Sequence, residues 1–111
     1  LDVSPDGRRI VFDLLGDIYD LPVGGGEARK LSSGLALDAQ PVYSPDGRTI
    51  LFLSDRSGAE NLWLMDEDGR NPRQISFYDD NQAFSSREWS PDGQSIIVTR
   101  SWADRNAYEL W

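Results

Sequence analysis

The chain has 111 residues, 39% hydrophobic and 27% charged, and its eleven Lys and Arg against nineteen Asp and Glu leave a net charge of -8. That balance suits one folded unit and argues against nucleic acid as a partner, because phosphate binding needs a basic footprint and Arg8, Arg29, Arg48, Arg70 and Arg100 are scattered. There is no cysteine and no histidine, which removes disulfides, thiolate metal sites, Ser-His-Asp triads and histidine-zinc sites.

In chain order, a short strand remnant over 1–4 runs into the turn Ser4-Pro5-Asp6-Gly7, and apolar segments over 9–14 and 17–21 read as the next two strands. The glycine cluster Gly24-Gly25-Gly26 then marks a hairpin; a phosphate loop would need a following helix and Gly-Lys-Ser/Thr. The turn recurs as Ser44-Pro45-Asp46-Gly47, between expected strands at 40–44 and 49–54, and strands at 61–66 and 73–77 complete that unit. Asp66, Asp68 and Asn71 resemble part of a calcium loop, but the distal glutamate and glycine spacing are missing, so 66–71 reads as a hairpin. The third copy, Ser90-Pro91-Asp92-Gly93, precedes an expected strand at 95–99.

Spacings of 40 and 46 residues between the three turns suit a four-stranded propeller blade. Ile18, Tyr19, Leu21, Arg29, Leu31 and Ser32 fall at a constant offset of 44 on Leu62, Trp63, Met65, Arg73, Ile75 and Ser76. The third repeat aligns Val98 with Phe52 and Leu110-Trp111 with Leu62-Trp63. The expected fold is therefore all-β: a β-propeller fragment of about two and a half four-stranded antiparallel blades at 1–33, 34–77 and 78–111, the last ending in its third strand. Strand 49–54 is apolar on both faces, as a strand sandwiched between two neighbouring blades should be.

Pro fixes φ at the second turn position, Asp tolerates the third and Gly supplies positive φ, so the tetrapeptides are structural turns rather than sites. Strand direction puts those turns and the 22–27 and 66–71 hairpins on one face of the blades. The variable connections 15–17, 55–60, 101–106, 33–39 and 78–85 share the other, and binding residues concentrate in such loops. Asp55, Arg56, Glu60, Asp79, Asp80, Trp102 and Arg105 are the candidates for an interaction face, while Tyr78, Phe84 and Trp102 also fit as plugs between blades. Trp63, Trp89 and Trp111 are expected to pack between blades. No catalytic residue is recognisable, and nothing calls for a metal or cofactor.

The run Asp55-Arg56-Ser57-Gly58, then Asn61-Leu62-Trp63-Leu64-Met65-Asp66 and Asn71-Pro72-Arg73-Gln74-Ile75-Ser76, resembles the TolB-like propeller repeat, a relative of the WD repeat in which Ser-Pro-Asp-Gly is the marker. Phe12-Asp13-Leu14-Leu15-Gly16-Asp17-Ile18-Tyr19 resembles the opening blade of propellers fused ahead of bacterial amidohydrolase domains, and tricorn-type proteases open similarly. The resemblance implies a non-catalytic propeller that scaffolds, gates or recruits partners for a larger hydrolase, with a periplasmic or secreted location. A stand-alone protein-binding propeller is the alternative. A propeller glycosidase would carry Ser-x-Asp-x-Gly-x-Thr-Trp; here Gly47 comes one position early and Ile50 stands in place of Trp. Expected partners are the remaining blades of the same ring or another copy of the chain, with a fused hydrolase domain. No apolar run approaches the roughly 18 residues of a membrane span.

Overall fold

The computed structural model describes residues 1–79, 84–101 and 104–109, and among them there is no helix. Three antiparallel sheets follow one another along the chain. The first holds β1 (Asp2–Val3), β2 (Arg9–Leu14), β3 (Asp17–Pro22) and β4 (Arg29–Lys30). The second holds β5 (Asp38–Tyr43), β6 (Thr49–Ser54), β7 (Asn61–Asp66) and β8 (Arg73–Gln74); the third holds β9 (Ser86–Trp89), β10 (Ser95–Ser101) and β11 (Asp104–Glu109). Each sheet is a simple meander, so consecutive strands are hydrogen-bonded neighbours. This is a β-propeller fragment.

All three Ser-Pro-Asp-Gly turns close in the same way. The Gly7, Gly47 and Gly93 amides donate to the Ser4, Ser44 and Ser90 carbonyls at 2.8 to 2.9 Å. The serine hydroxyls donate to Asp6, Asp46 and Asp92 at 2.6 to 2.7 Å, and each carboxylate also accepts the amide two residues on at 3.0 Å. Those bonds hold all three carboxyls below the usual aspartate range, the serine hydroxyl contributing most. Every turn aspartate thus spends one carboxylate oxygen on its own turn.

The two-sided apolarity of β6 has a direct structural cause. Ile50 and Phe52 join Val11, Ile18, Leu31, Tyr43 and Met65 between the first and second sheets, with Trp63 packed against them. Leu51 and Leu53 join Leu62, Leu64, Phe84, Ile96 and Val98 between the second and third, against which Ile75, Tyr78 and Trp89 pack. Trp63 and Trp89 therefore pack between blades as expected; Trp111 lies outside the described residues.

Three expectations about strands need correction. The fourth strand of the second sheet stops at Gln74 instead of reaching residue 77, because the Ser76 hydroxyl takes the Leu62 amide at 2.8 Å where a backbone carbonyl would otherwise continue the ladder. Ser32 does the same to the Ile18 amide at 2.9 Å in the first sheet. Strand β5 starts two residues before Gln40 and carries a bulge between Ala39 and Val42, since Pro41 offers no amide to the ladder. In the third sheet Val98 faces Asn106, not Trp111, because only residues 102 and 103 separate β10 from β11. Arg105 consequently sits on β11 opposite Thr99, not in a loop.

Candidate functional site: the loop face

The connections between second and third strands differ by four residues in the first two sheets, and the structure shows where the difference goes. In the first sheet Leu15 and Gly16 alone join β2 to β3, both at positive φ (53° and 86°), the signature of a tight hairpin whose twist matches its strands. In the second sheet the longer 55–60 segment leaves room for side chains that reach the neighbouring connection.

Asp55, Arg56 and Glu60 lie on this face, and each is tied to the scaffold. The Asp55 carboxylate accepts the Leu37 amide at 2.8 Å, fixing the entry to β5. Arg56 donates to the fully buried Asp38 at 2.8 Å and to the Ser54 hydroxyl at 3.0 Å, with its guanidinium carbon 5.1 Å from the Trp63 ring centre and 5.4 Å from that of Phe52. Such a guanidinium is held by a charge on one edge and aromatic faces on its flat side. Glu60 accepts the Phe84 amide at 3.1 Å, linking the second blade to the segment leading into the third. Asp79 is exposed. Asp80 and Trp102 lie outside the described residues, as does the Arg105 side chain.

Three residues that sequence reasoning did not single out form the most organised polar group on this face. At the β5 bulge Gln40 adopts φ of 55°, which turns its amide and carbonyl out of the ladder. The amide donates to Asp13 of β2 at 2.8 Å, and the carbonyl accepts Arg87 of β9 through Nε at 3.2 Å and Nη2 at 2.7 Å. One irregular residue of the second sheet therefore binds side chains of the first and the third. Burial lowers the Arg87 pKa, opposed by the charges of Glu60 and Asp13, which places both acids within electrostatic reach of the guanidinium. The available sequence signal was Pro41, a proline inside an otherwise strand-like run.

Chemically, this group is a half-buried cation flanked by two carboxylates on a fixed scaffold. It suits recognition of a polar segment by charge and hydrogen bonding. Among the described residues, no three Asp or Glu come together where they would hold a metal ion. Nor does any described helix have the length and apolarity to cross a membrane.

The family model of the tricorn protease N-terminal β-propeller domain matches residues 2–110. The uncharacterized peptidase YuxL of Bacillus subtilis is 40% identical over 85 residues, which cover 76% of this chain and 12% of that protein. A solved structure assigned as a TolB of Agrobacterium tumefaciens superposes with a TM-score of 0.76 at 30% identity, covering 93% of this chain and 38% of its own. The tricorn protease structure superposes with a TM-score of 0.71 at 22% identity, covering 84% of this chain and 10% of its own, a likeness of fold alone. The chain spans between 12% and 35% of the length of the curated relatives it matches.

Proposed function

The chain belongs to the tricorn protease N-terminal β-propeller family, and from that premise we propose that it is a non-catalytic propeller module of a larger hydrolase, acting at its loop face to admit or hold polypeptide segments. The observation that carries this reading is the Arg87, Gln40 and Asp13 group with Glu60: a charged recognition surface pinned across three blades. The peptidase among the relatives favours a peptidase partner over the amidohydrolase that the opening blade resembles. A periplasmic or secreted location accompanies the reading. The TolB likeness supports the second reading, a stand-alone protein-binding propeller; a full open reading frame without a hydrolase domain would favour it.

Gating predicts a length-dependent defect. In the full-length protein, Arg87→Ala is expected to raise KM for a peptide of about ten residues roughly tenfold, the worth of one hydrogen bond to a charged group. It should leave kcat for a chromogenic dipeptide unchanged. Equal kinetics of variant and parent on both substrates, with an unchanged melting temperature, would refute the gating role.

The outer sheets also bear on partners. Val3 and Ile97 are 47% and 46% exposed, and Phe12 stacks on Tyr19 at 5.7 Å on the face of the first sheet turned away from the Val11 and Ile18 cluster. Propellers close into rings of about 4 to 8 blades, so these faces are suited to further blades or to another copy of the chain. The 111 residues expressed alone are accordingly expected to self-associate. A stable monomer in light scattering at micromolar concentration would contradict this.

A further inference from the structure

The seam between the first two sheets is rebuilt at its turn end, opposite the loop face. At the second seam the repeat places Thr49, Leu64, Arg73 and Trp89; at the first seam the corresponding positions hold Arg9, Asp20, Arg29 and Tyr43. The registers agree, since Asp20 pairs with Arg29 as Leu64 pairs with Arg73. Asp20 is fully buried and saturated by two guanidiniums: Arg9 reaches Oδ2 at 2.8 Å and Oδ1 at 2.9 Å, and Arg29 reaches Oδ1 at 3.1 Å and Oδ2 at 2.8 Å. The buried carboxylate is particular to the first seam: the equivalent position of the second is the buried Leu64, and burying a carboxylate costs desolvation that an apolar residue there avoids.

These four residues line a cavity of about 360 Å³, at the small end of the range for ligand sites. Two cations sharing one anion leave its floor with a net positive charge. Its rim is acidic, with Asp6, Asp46, Glu67 and Asp68, the last near enough to favour the Arg29 charge. The Tyr43 hydroxyl also borders this space, buried and without a protein hydrogen-bond partner among the described residues, whereas buried polar groups are normally satisfied. Burial pushes that hydroxyl up to about 12, so at neutral pH it is a phenol able to donate. A simple anion meets the floor but is repelled by the rim, and a simple cation meets the reverse. Only a molecule carrying both charges is complementary to the whole.

We propose that this seam cavity binds a small zwitterion, its carboxylate on Arg9, Arg29 and the Tyr43 hydroxyl and its ammonium at the acidic rim. The test is calorimetric titration of the purified full chain with leucine and with glycylleucine, set against N-acetylglycylleucine, which lacks the ammonium, and glycylleucine amide, which lacks the carboxylate. At least one zwitterion should bind saturably below about 10 mM, and blocking either charge should weaken binding about tenfold or more. Whether leucine or glycylleucine binds more tightly identifies the source as a free amino acid or a dipeptide. Tyr43→Phe should weaken binding severalfold without lowering the melting temperature, because the hydroxyl it removes has no partner in the free protein. The proposal is overturned if neither zwitterion binds, as a cavity holding only water would behave, if the blocked peptides bind equally well, or if Tyr43→Phe leaves affinity intact or lowers the melting temperature.

Discussion

Gly69→Val is expected to destabilise the protein by about 3 kcal/mol or more, the sum of a β-branched residue forced to positive φ and a backbone collision. Gly69 has φ of 88°, and a Cβ there would collide with the Leu31 carbonyl oxygen and stand 3.0 Å from the Leu31 Cα. That contact crosses the seam, where the hairpin after β7 lies against the strand end that buries Leu31. Backbone cannot swing aside as a side chain would, so the two sheets must part. Gly47→Val is the graded control: φ is 74°, but the nearest atom is the Pro5 side chain at 3.2 Å, so the loss should be smaller while still exceeding about 1 kcal/mol. Asp79→Ala, on an exposed connection, should change little. Chemical denaturation orders the three, and equal midpoints would mean that neither turn is built as described.

The contact between Gly69 and Leu31 also marks how far the fold was legible in the sequence. The turn spacing and the constant offset of 44 located the blades, and the unbroken apolar run of β6 foretold a core on each of its faces. Such features are periodic and local, so one chain displays them. What escaped were substitutions of one hydrogen-bonding group for another. Ser32 and Ser76 end their strands by offering a hydroxyl to an amide, and a serine at a strand end looks the same in sequence whether or not it does so. The third sheet was misregistered because matching Trp111 to Trp63 followed residue type, whereas the pairing sets Val98 opposite Asn106 and Ser101 opposite Asp104.

The loop face was legible in kind but not in detail. Strand direction alone assigned Asp55, Arg56 and Glu60 to it, yet each spends its polar atoms on the scaffold. The Arg87 group was invisible because its bonds join residues 27 and 47 positions apart through one bulged backbone unit, and no spacing rule connects three blades through a carbonyl. The seam cluster had the same difficulty. Asp20 aligns with Leu64, a polar-for-apolar exchange at a repeat position whose inward direction only the structure reveals.

Asp20→Asn is expected to cost about 2 kcal/mol at pH 7, below the 3 to 5 typical of breaking a fully buried pair. The discount reflects the partners, because the Arg9 and Arg29 side chains are 36% and 49% exposed and can recover water. An amide keeps the shape but puts an N–H group where one oxygen stood, and because each guanidinium fork uses both oxygens, each loses one of its two acceptors. The double variant Arg9→Thr with Asp20→Leu copies the corresponding residues of the second seam and should recover most of the loss, since it removes the buried carboxylate together with one guanidinium and leaves the other, Arg29, 49% exposed to water. The cost should also fade in acid. Burial alone would raise the Asp20 carboxyl, but the bonds from Arg29 and Arg9 outweigh it and hold the group below 3.8 in the folded chain. A depressed folded pKa contributes stability that is complete above the unfolded value, about 3.9, and is lost as pH falls through the folded one. Denaturant titrations at pH 7 and pH 3 should therefore show the parent losing more stability on acidification than Asp20→Asn, with the gap between them narrowing. The turn aspartates 6, 46 and 92 are depressed as well and acid-sensitise both proteins equally, so they cancel in that difference. A gap that stays constant between the two pH values would show that the variant fails through packing and that the charge on Asp20 does not hold the seam.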